Sequence, residues 1–103
     1  MFTLLIIGAD ANAYYMARCF HELTGKKAYV IAKNPIWFTD VSKITIPKYN
    51  DNLREENVFL KELDNFYNEH KSEKILLVSS SENYIELISK NKDKLKNKFY
   101  FVL

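Results

Sequence analysis

Two short polar segments of this chain carry residue types that can hold a small ligand: Gly8-Ala9-Asp10-Ala11-Asn12-Ala13 and Ser79-Ser80-Ser81-Glu82-Asn83. Each follows an apolar run and precedes a stretch with helical periodicity. The placement matters because the first turn of a helix has N–H groups without partners inside the helix, and these favour anions and polar groups. The chemistry on offer is capture of a small polar ligand, through backbone N–H groups, in one crevice lined by the residues of both segments. The same residues can also be plain helix caps, since Asp, Asn and Ser oxygens accept from N–H groups two or three positions on. Glu82 in a first turn is favoured by the helix dipole alone. Capping and ligand binding both stand as readings of these segments.

Other chemistry is poorly supplied. A dinucleotide fold places glycine where Asp10 and Asn12 stand, and Asp10 would repel a pyrophosphate. The chain contains no GxxxxGK[ST] phosphate loop. His21 and His70 stand apart, with no carboxylate or cysteine at metal-ligand spacing, and read as surface imidazoles; no metal site is assigned. Cys19 falls inside the first helical stretch, near its apolar side, and reads as a small packing thiol. No nucleophile has a base at a useful spacing, so no catalytic residue is assigned. The lysine-rich run over residues 90–98 reads as the polar face and end of an amphipathic helix rather than a nucleic-acid site.

The elements that must position these loops are regular. Residues 2–7, apolar but for Thr3, and 75–78 are continuous runs with the pattern of parallel strands buried on both faces, and residues 28–32 are nearly so. Residues 42–49 alternate Ile44 and Ile46 with polar neighbours, and Pro47 suits an edge strand because it has no N–H to donate. Ala13, Ala17, Phe20 and Leu23 recur at helical spacing until Gly25 stops the helix. A second helix starts at Asp51 or Asn52, with Leu53, Leu60, Leu63 and Phe66 on one face. A third runs through Tyr84, Leu87, Ile88, Asn91 and Leu95, and residues 99–103 form a last strand. The order β-α-β-β-α-β-α-β predicts an α/β, Rossmann-like three-layer domain with a mostly parallel sheet of about five strands.

With 103 residues, one domain and one modest core are expected. A net charge of +2 is too small to imply nucleic acid or an anionic membrane. One cysteine excludes an internal disulfide and points to a reducing, cytoplasmic setting. The run over residues 2–7 is too short for a membrane span or a signal-peptide core, so no membrane association is expected. Because the chain closes on a strongly apolar strand, it reads as residues 1–103 of something longer.

One string carries more than its physics. Asp10, Asn12, Tyr14, Met16-Ala17-Arg18 and Phe20-His21-Glu22 resemble the opening of bacterial ATP-grasp carboxylate–amine ligases, relatives of the peptidoglycan D-aspartate ligases among them. Residues 82–88 and 42–44 are similar to later segments of that family, so the resemblance covers essentially the whole chain. Tyr15 and the pair Ser81-Glu82 depart from it, standing where the family has glycine and Gly-Asp. The resemblance implies the N-terminal, pre-ATP-grasp domain, which helps form the pocket for a small carboxylate or amine substrate; carried over by position, it implies Gly8, Ala9, Asp10, Asn12, Ser80, Ser81, Glu82 and Asn83 as the substrate-side residues. It places ATP and magnesium in the remaining lobes of the ligase, with neither bound by this part and no ligation by it alone. Two other classes stay open: a stand-alone Rossmann-like nucleotide-binding regulatory module, and a ligand-free interaction domain, a homodimer included, docking through Trp37, Phe38 and the open sheet edge.

Overall fold

The computed structural model describes residues 2–34 and 41–101, so Trp37 and Phe38 lie outside the described residues. The strands are β1 (Phe2–Ile7), β2 (Ala28–Ala32), β3 (Thr45–Tyr49) and β4 (Lys74–Ser79). The helices are α1 (Ala11–Thr24), α2 (Val41–Ile44), α3 (Glu56–Glu69), α4 (Glu82–Lys90) and α5 (Lys92–Leu95). The four strands make one sheet in the order β3-β2-β1-β4, and every pairing is parallel. β1 is central: Leu5 lies opposite Tyr29 on one side and Leu77 on the other.

The pleat explains why β1 is apolar at every position but Thr3. Leu5 and Ile7 join Ile75 and Leu77 against Phe59, Leu63 and Phe66 of α3 and Tyr84 and Ile88 of α4. Leu4 and Ile6 point the other way, toward Ala13, Tyr14 and Ala17 of α1 and Ile44 of α2. A strand with a packed layer on each face has no solvent side on which to place polar residues. The domain is therefore a three-layer, Rossmann-like α/β unit, as the order of elements predicted. On the α1 face, alanines 13, 17, 28 and 32 let helix and sheet approach closely. On the α3 face the largest fully buried side chain is Phe59, stacked on Tyr84 at a 6.1 Å ring separation. Burying one such ring contributes about 1.5–3 kcal/mol.

The sheet has four strands among the described residues, rather than about five. Among the described residues the last predicted strand is reduced to Tyr100, whose N–H donates to Ile75 O and whose carbonyl accepts from Leu77, both at 2.8 Å. Phe99 still belongs to the preceding turn, its N–H donating to Leu95 O at 2.9 Å, so extended backbone begins only at Tyr100. The strand predicted over residues 42–49 starts at Thr45, and Ile44 closes a helical turn that buries it against the α1 face. Within that strand the predicted alternation fails at Ile46, which is 44% exposed while Thr45 is buried.

α3 starts at Glu56 instead of Asp51 or Asn52. Residues 50–55 are held as turns: the Asn50 side chain accepts the Asn52 N–H at 2.9 Å, and the Glu55 N–H donates to Asn52 O at 3.0 Å. The helix predicted through Leu95 breaks at Asn91, a buried residue whose side-chain amide donates to Leu87 O and to Glu56 of α3. Cys19 is exposed rather than near the packed face. His70 is not a surface imidazole, because its ring stacks on Phe66 at 4.2 Å and its Nδ1 lies 2.7 Å from Glu73. Lys90 and Lys98 of the basic run pair with Glu56 and Asp64 on α3. Among the described residues no helix is long and apolar enough to cross a membrane.

Candidate functional site

The direction of sheet growth reverses at β1, with β2 and β3 on one side and β4 on the other. In open parallel sheets the loops leaving two such strands diverge to opposite layers, and the gap between them is where ligands sit. Here the two loops are those singled out in the sequence. They leave the sheet side by side, because Ile7 and Ser79 are the last registered pair of β1 and β4.

Each loop is held by bonds that its own residues supply. Gly8 turns the chain out of the sheet at φ +101°, a region that L side chains rarely adopt, while its N–H still donates to Ile31 O at 2.9 Å. The Ser79 hydroxyl donates to Ile7 O at 2.7 Å and accepts the Ser81 N–H at 3.2 Å. Asp10 then ties the loops together. Its Oδ1 accepts the Ala13 N–H at 2.8 Å, which caps α1, and the Ser80 hydroxyl lies 2.9 Å from Oδ1 and 2.8 Å from Oδ2.

Between the loops is a crevice of about 160 Å³. Gly8, Ala9, Asp10 and Ser81 line one part of it, and Lys33, Asn34, Arg54 and Tyr84 line the rest. The Tyr84 ring would sit 3.5 Å from a Cβ on Gly8, so this wall lies about a methyl group's width from the loop backbone. Two cations, Lys33 and Arg54, border the same crevice as one carboxylate that is already engaged by a serine and a helix N-terminus. Such a balance suits a small anionic group, and the planar fork of an arginine matches a carboxylate with two parallel hydrogen bonds.

The structure thus brings together Gly8, Ala9, Asp10, Ser80 and Ser81, with Ser80 reaching the crevice through Asp10. Asn12 is exposed on α1 and is not its cap. Glu82 and Asn83 are exposed in the first turn of α4. Asn83 lines an adjoining hollow with Glu86, Lys90 and Arg54, which borders the crevice as well, and Glu82 lines another with Ile85 and Ser89. Ser81 occupies the cap position of α4 but makes no side-chain cap bond.

Sequence reasoning missed Lys33, Asn34, Arg54 and Tyr84. Lys33 and Asn34 immediately follow β2, and the ends of parallel strands are where ligands gather, so position could have flagged them. Arg54 is one of only two arginines in the chain and adjoins Leu53, which is fully buried. Tyr84 fits the apolar stripe of its helix and looks like core, which it also is. Among the described residues no three His, Cys, Asp or Glu side chains gather as a metal ion would require.

No family model matches the chain, and no solved structure matches it. A curated relative does: a D-aspartate ligase from Enterococcus faecium (strain Aus0004), 33% identical over 101 residues. The alignment covers 95% of this chain but only 24% of that protein, so the chain spans about a quarter of the length of the relative it matches. The resemblance to ATP-grasp ligases carried by Asp10, Asn12 and the Met16-Ala17-Arg18 string therefore has a named counterpart, and over that quarter the chain is a distant homologue of a D-aspartate ligase.

Proposed function

We propose that this chain is the N-terminal, substrate-side domain of an ATP-dependent carboxylate–amine ligase, and that its crevice holds the carboxylate or amine partner before the bond is made. The single observation that carries the reading is the match to a D-aspartate ligase along nearly the whole chain. The crevice supports it, because Lys33 and Arg54 supply positive charge beside two backbone loops that Asp10 and Ser80 hold in place. In this reading Arg54 and Lys33 take the substrate's carboxylate. Gly8 and Ala9 present the loop backbone, while Asp10 and Ser80 keep the loops in register.

The residues present do not suit magnesium–ATP. The Asp10 oxygens are already engaged, and no cluster of three metal-binding side chains gathers among the described residues. ATP and magnesium belong, on this proposal, to the remaining lobes of the ligase, in the cytoplasm. Acyl-phosphate chemistry and C–N bond formation take place there, and this domain alone ligates nothing. The test is ADP formation by the full-length protein that carries this segment, offered pairs of amino acids with ATP. Amino-acid-dependent ADP release is expected with at least one pair. A full-length protein that releases no ADP with any pair, yet is stabilised by NAD, would replace this reading with the nucleotide-binding module.

A further inference from the structure

The face of the sheet that carries α1 is covered over one half only. The crossover from β1 to β2 runs toward one edge and places α1 on that face. Those from β3 to β4 and from β4 to Tyr100 run toward the other edge. The same right-handed rule sends α3, α4 and α5 to the opposite face, where their buried residues cluster. Among the described residues no helix lies beside α1 over β4.

The half left open is apolar. Phe2, Leu4 and Ile6 are registered with Lys74, Leu76 and Val78, so these positions share the face, and Tyr100 is bridged to Leu76. Leu76 and Val78 are only partly buried. Phe2 and Tyr100 are 45% and 54% exposed, their rings edge to face at 5.7 Å. On α1, Met16, Phe20 and Leu23 follow at helical spacing; the first two are half-buried against the same cluster as Leu76 and Val78, and Leu23 is 86% exposed. A groove walled by α1 and floored by β4 results, and an apolar surface of this kind marks a place that another element covers.

Length and charge indicate which element. The six residues of β4, at about 3.3 Å each, span about 20 Å, the length of a helix of about 13 residues. A helix laid beside α1 and in the same direction runs against the strands, so its C-terminal end lies at the strand starts. There Lys26, which donates to Phe2 O at 3.2 Å, and the exposed Lys74 supply positive charge. Asp10 stands at the opposite end, beside Ser80. Both ends complement the helix dipole in that direction, lysines at its negative end and a carboxylate at its positive end. The chain spans 24% of the relative it matches, so on the ligase reading most of the protein lies outside it.

We propose that this groove docks an amphipathic helix of about 13 residues, supplied by the part of the full-length ligase outside this segment, with its apolar stripe on Phe2, Leu76, Tyr100, Phe20 and Leu23. The source of the helix rests on the ligase reading, but burial is read without ADP release, so each can fail alone. Hydroxyl-radical footprinting of the full-length protein, resolved by residue and referred to the urea-unfolded chain, measures that burial. Tyr100 should be oxidised as slowly as Tyr84, which is 4% exposed, and Phe2 should be protected with it. Tyr100→p-benzoylphenylalanine, photoactivated in the full-length protein, identifies the occupant. The crosslink should join position 100 to a segment of the same polypeptide outside residues 1–103 whose apolar residues recur at helical spacing. Circular dichroism establishes that the substituted protein is folded, and the footprint of the unsubstituted protein decides the question of burial by itself. The proposal is overturned if Tyr100 is oxidised at the rate that 54% exposure implies, if the crosslink joins two copies of the chain, or if the folded variant crosslinks to no helical apolar segment.

Discussion

Removing the Asp10 carboxylate should loosen both loops of the crevice at once. One of its oxygens caps α1 through Ala13, and the carboxylate also accepts the Ser80 hydroxyl from the loop after β4. Loss of a capping Asp costs about 1 kcal/mol, within a range of roughly 0.5–2. A hydrogen bond to a charged acceptor is worth about 1.5–3 kcal/mol when shielded, but Asp10 is exposed, and solvent screening reduces the Ser80 contribution to about 0.5–1. Asp10→Ala should therefore destabilise the chain by about 1.5–2 kcal/mol and Ser80→Ala by about 0.5–1. The double variant should cost little more than Asp10→Ala alone, giving a coupling energy of about 0.5–1 kcal/mol. Asp10→Asn, which keeps a capping oxygen, should fall between wild type and Asp10→Ala. Urea unfolding followed by circular dichroism at neutral pH measures all four, provided the denaturant slope is the same for each. Strict additivity of Asp10→Ala and Ser80→Ala would show that the loops are not joined through this carboxylate, and the reasoning about the crevice would fail.

Gly8→Ala should cost about 1–3 kcal/mol through its positive φ, since Tyr84 at 3.5 Å is ordinary contact and leaves room for a methyl group. Thermal unfolding would show this as a midpoint lowered by about 4–8 °C per kcal/mol, and an unchanged midpoint would refute it. Phe59→Ala, which empties the centre of the α3 face, should cost about 3–5 kcal/mol and be readable in the same urea series; a cost under about 1 kcal/mol would contradict the packing described. The Glu73 carboxyl is held below its usual range, chiefly by the Thr3 hydroxyl and next by His70. A depressed folded-state pKa stabilises above the ordinary carboxylate value of about 4.3, and that contribution disappears as pH falls through the folded value. The stability gap between wild type and Thr3→Val should accordingly be full above about pH 5 and shrink on acidification; midpoints at a series of pH values measure it, and a gap independent of pH would refute it.

The architecture was legible because burial on two faces leaves a plain mark. β1, save Thr3, and the 75–78 run are apolar, and the residue that follows each opens a polar loop. Asp10 as a cap and Gly25 as a helix stop follow from short-range chemistry, and the structure has both. What sequence could not give were features decided by distant contacts. The break at Asn91 depends on Glu56, thirty-five positions earlier, and the turns before α3 depend on burying Leu53. In the crevice, the backbone-loop half was visible as a polar segment after an apolar run. The cationic half was not, because Lys33 and Arg54 are ordinary surface residues in sequence and become neighbours of Gly8 only through the sheet order.

The central claim is that this crevice binds the substrate of a ligase, and the measurement closest to it is steady-state ADP release by full-length protein carrying Arg54→Ala. Losing a paired arginine–carboxylate contact of about 1.5–3 kcal/mol should raise the KM for the carboxylate substrate by roughly ten- to a hundredfold and leave the KM for ATP unchanged. An unaltered KM for the carboxylate substrate, or a rise confined to the KM for ATP, would contradict the account.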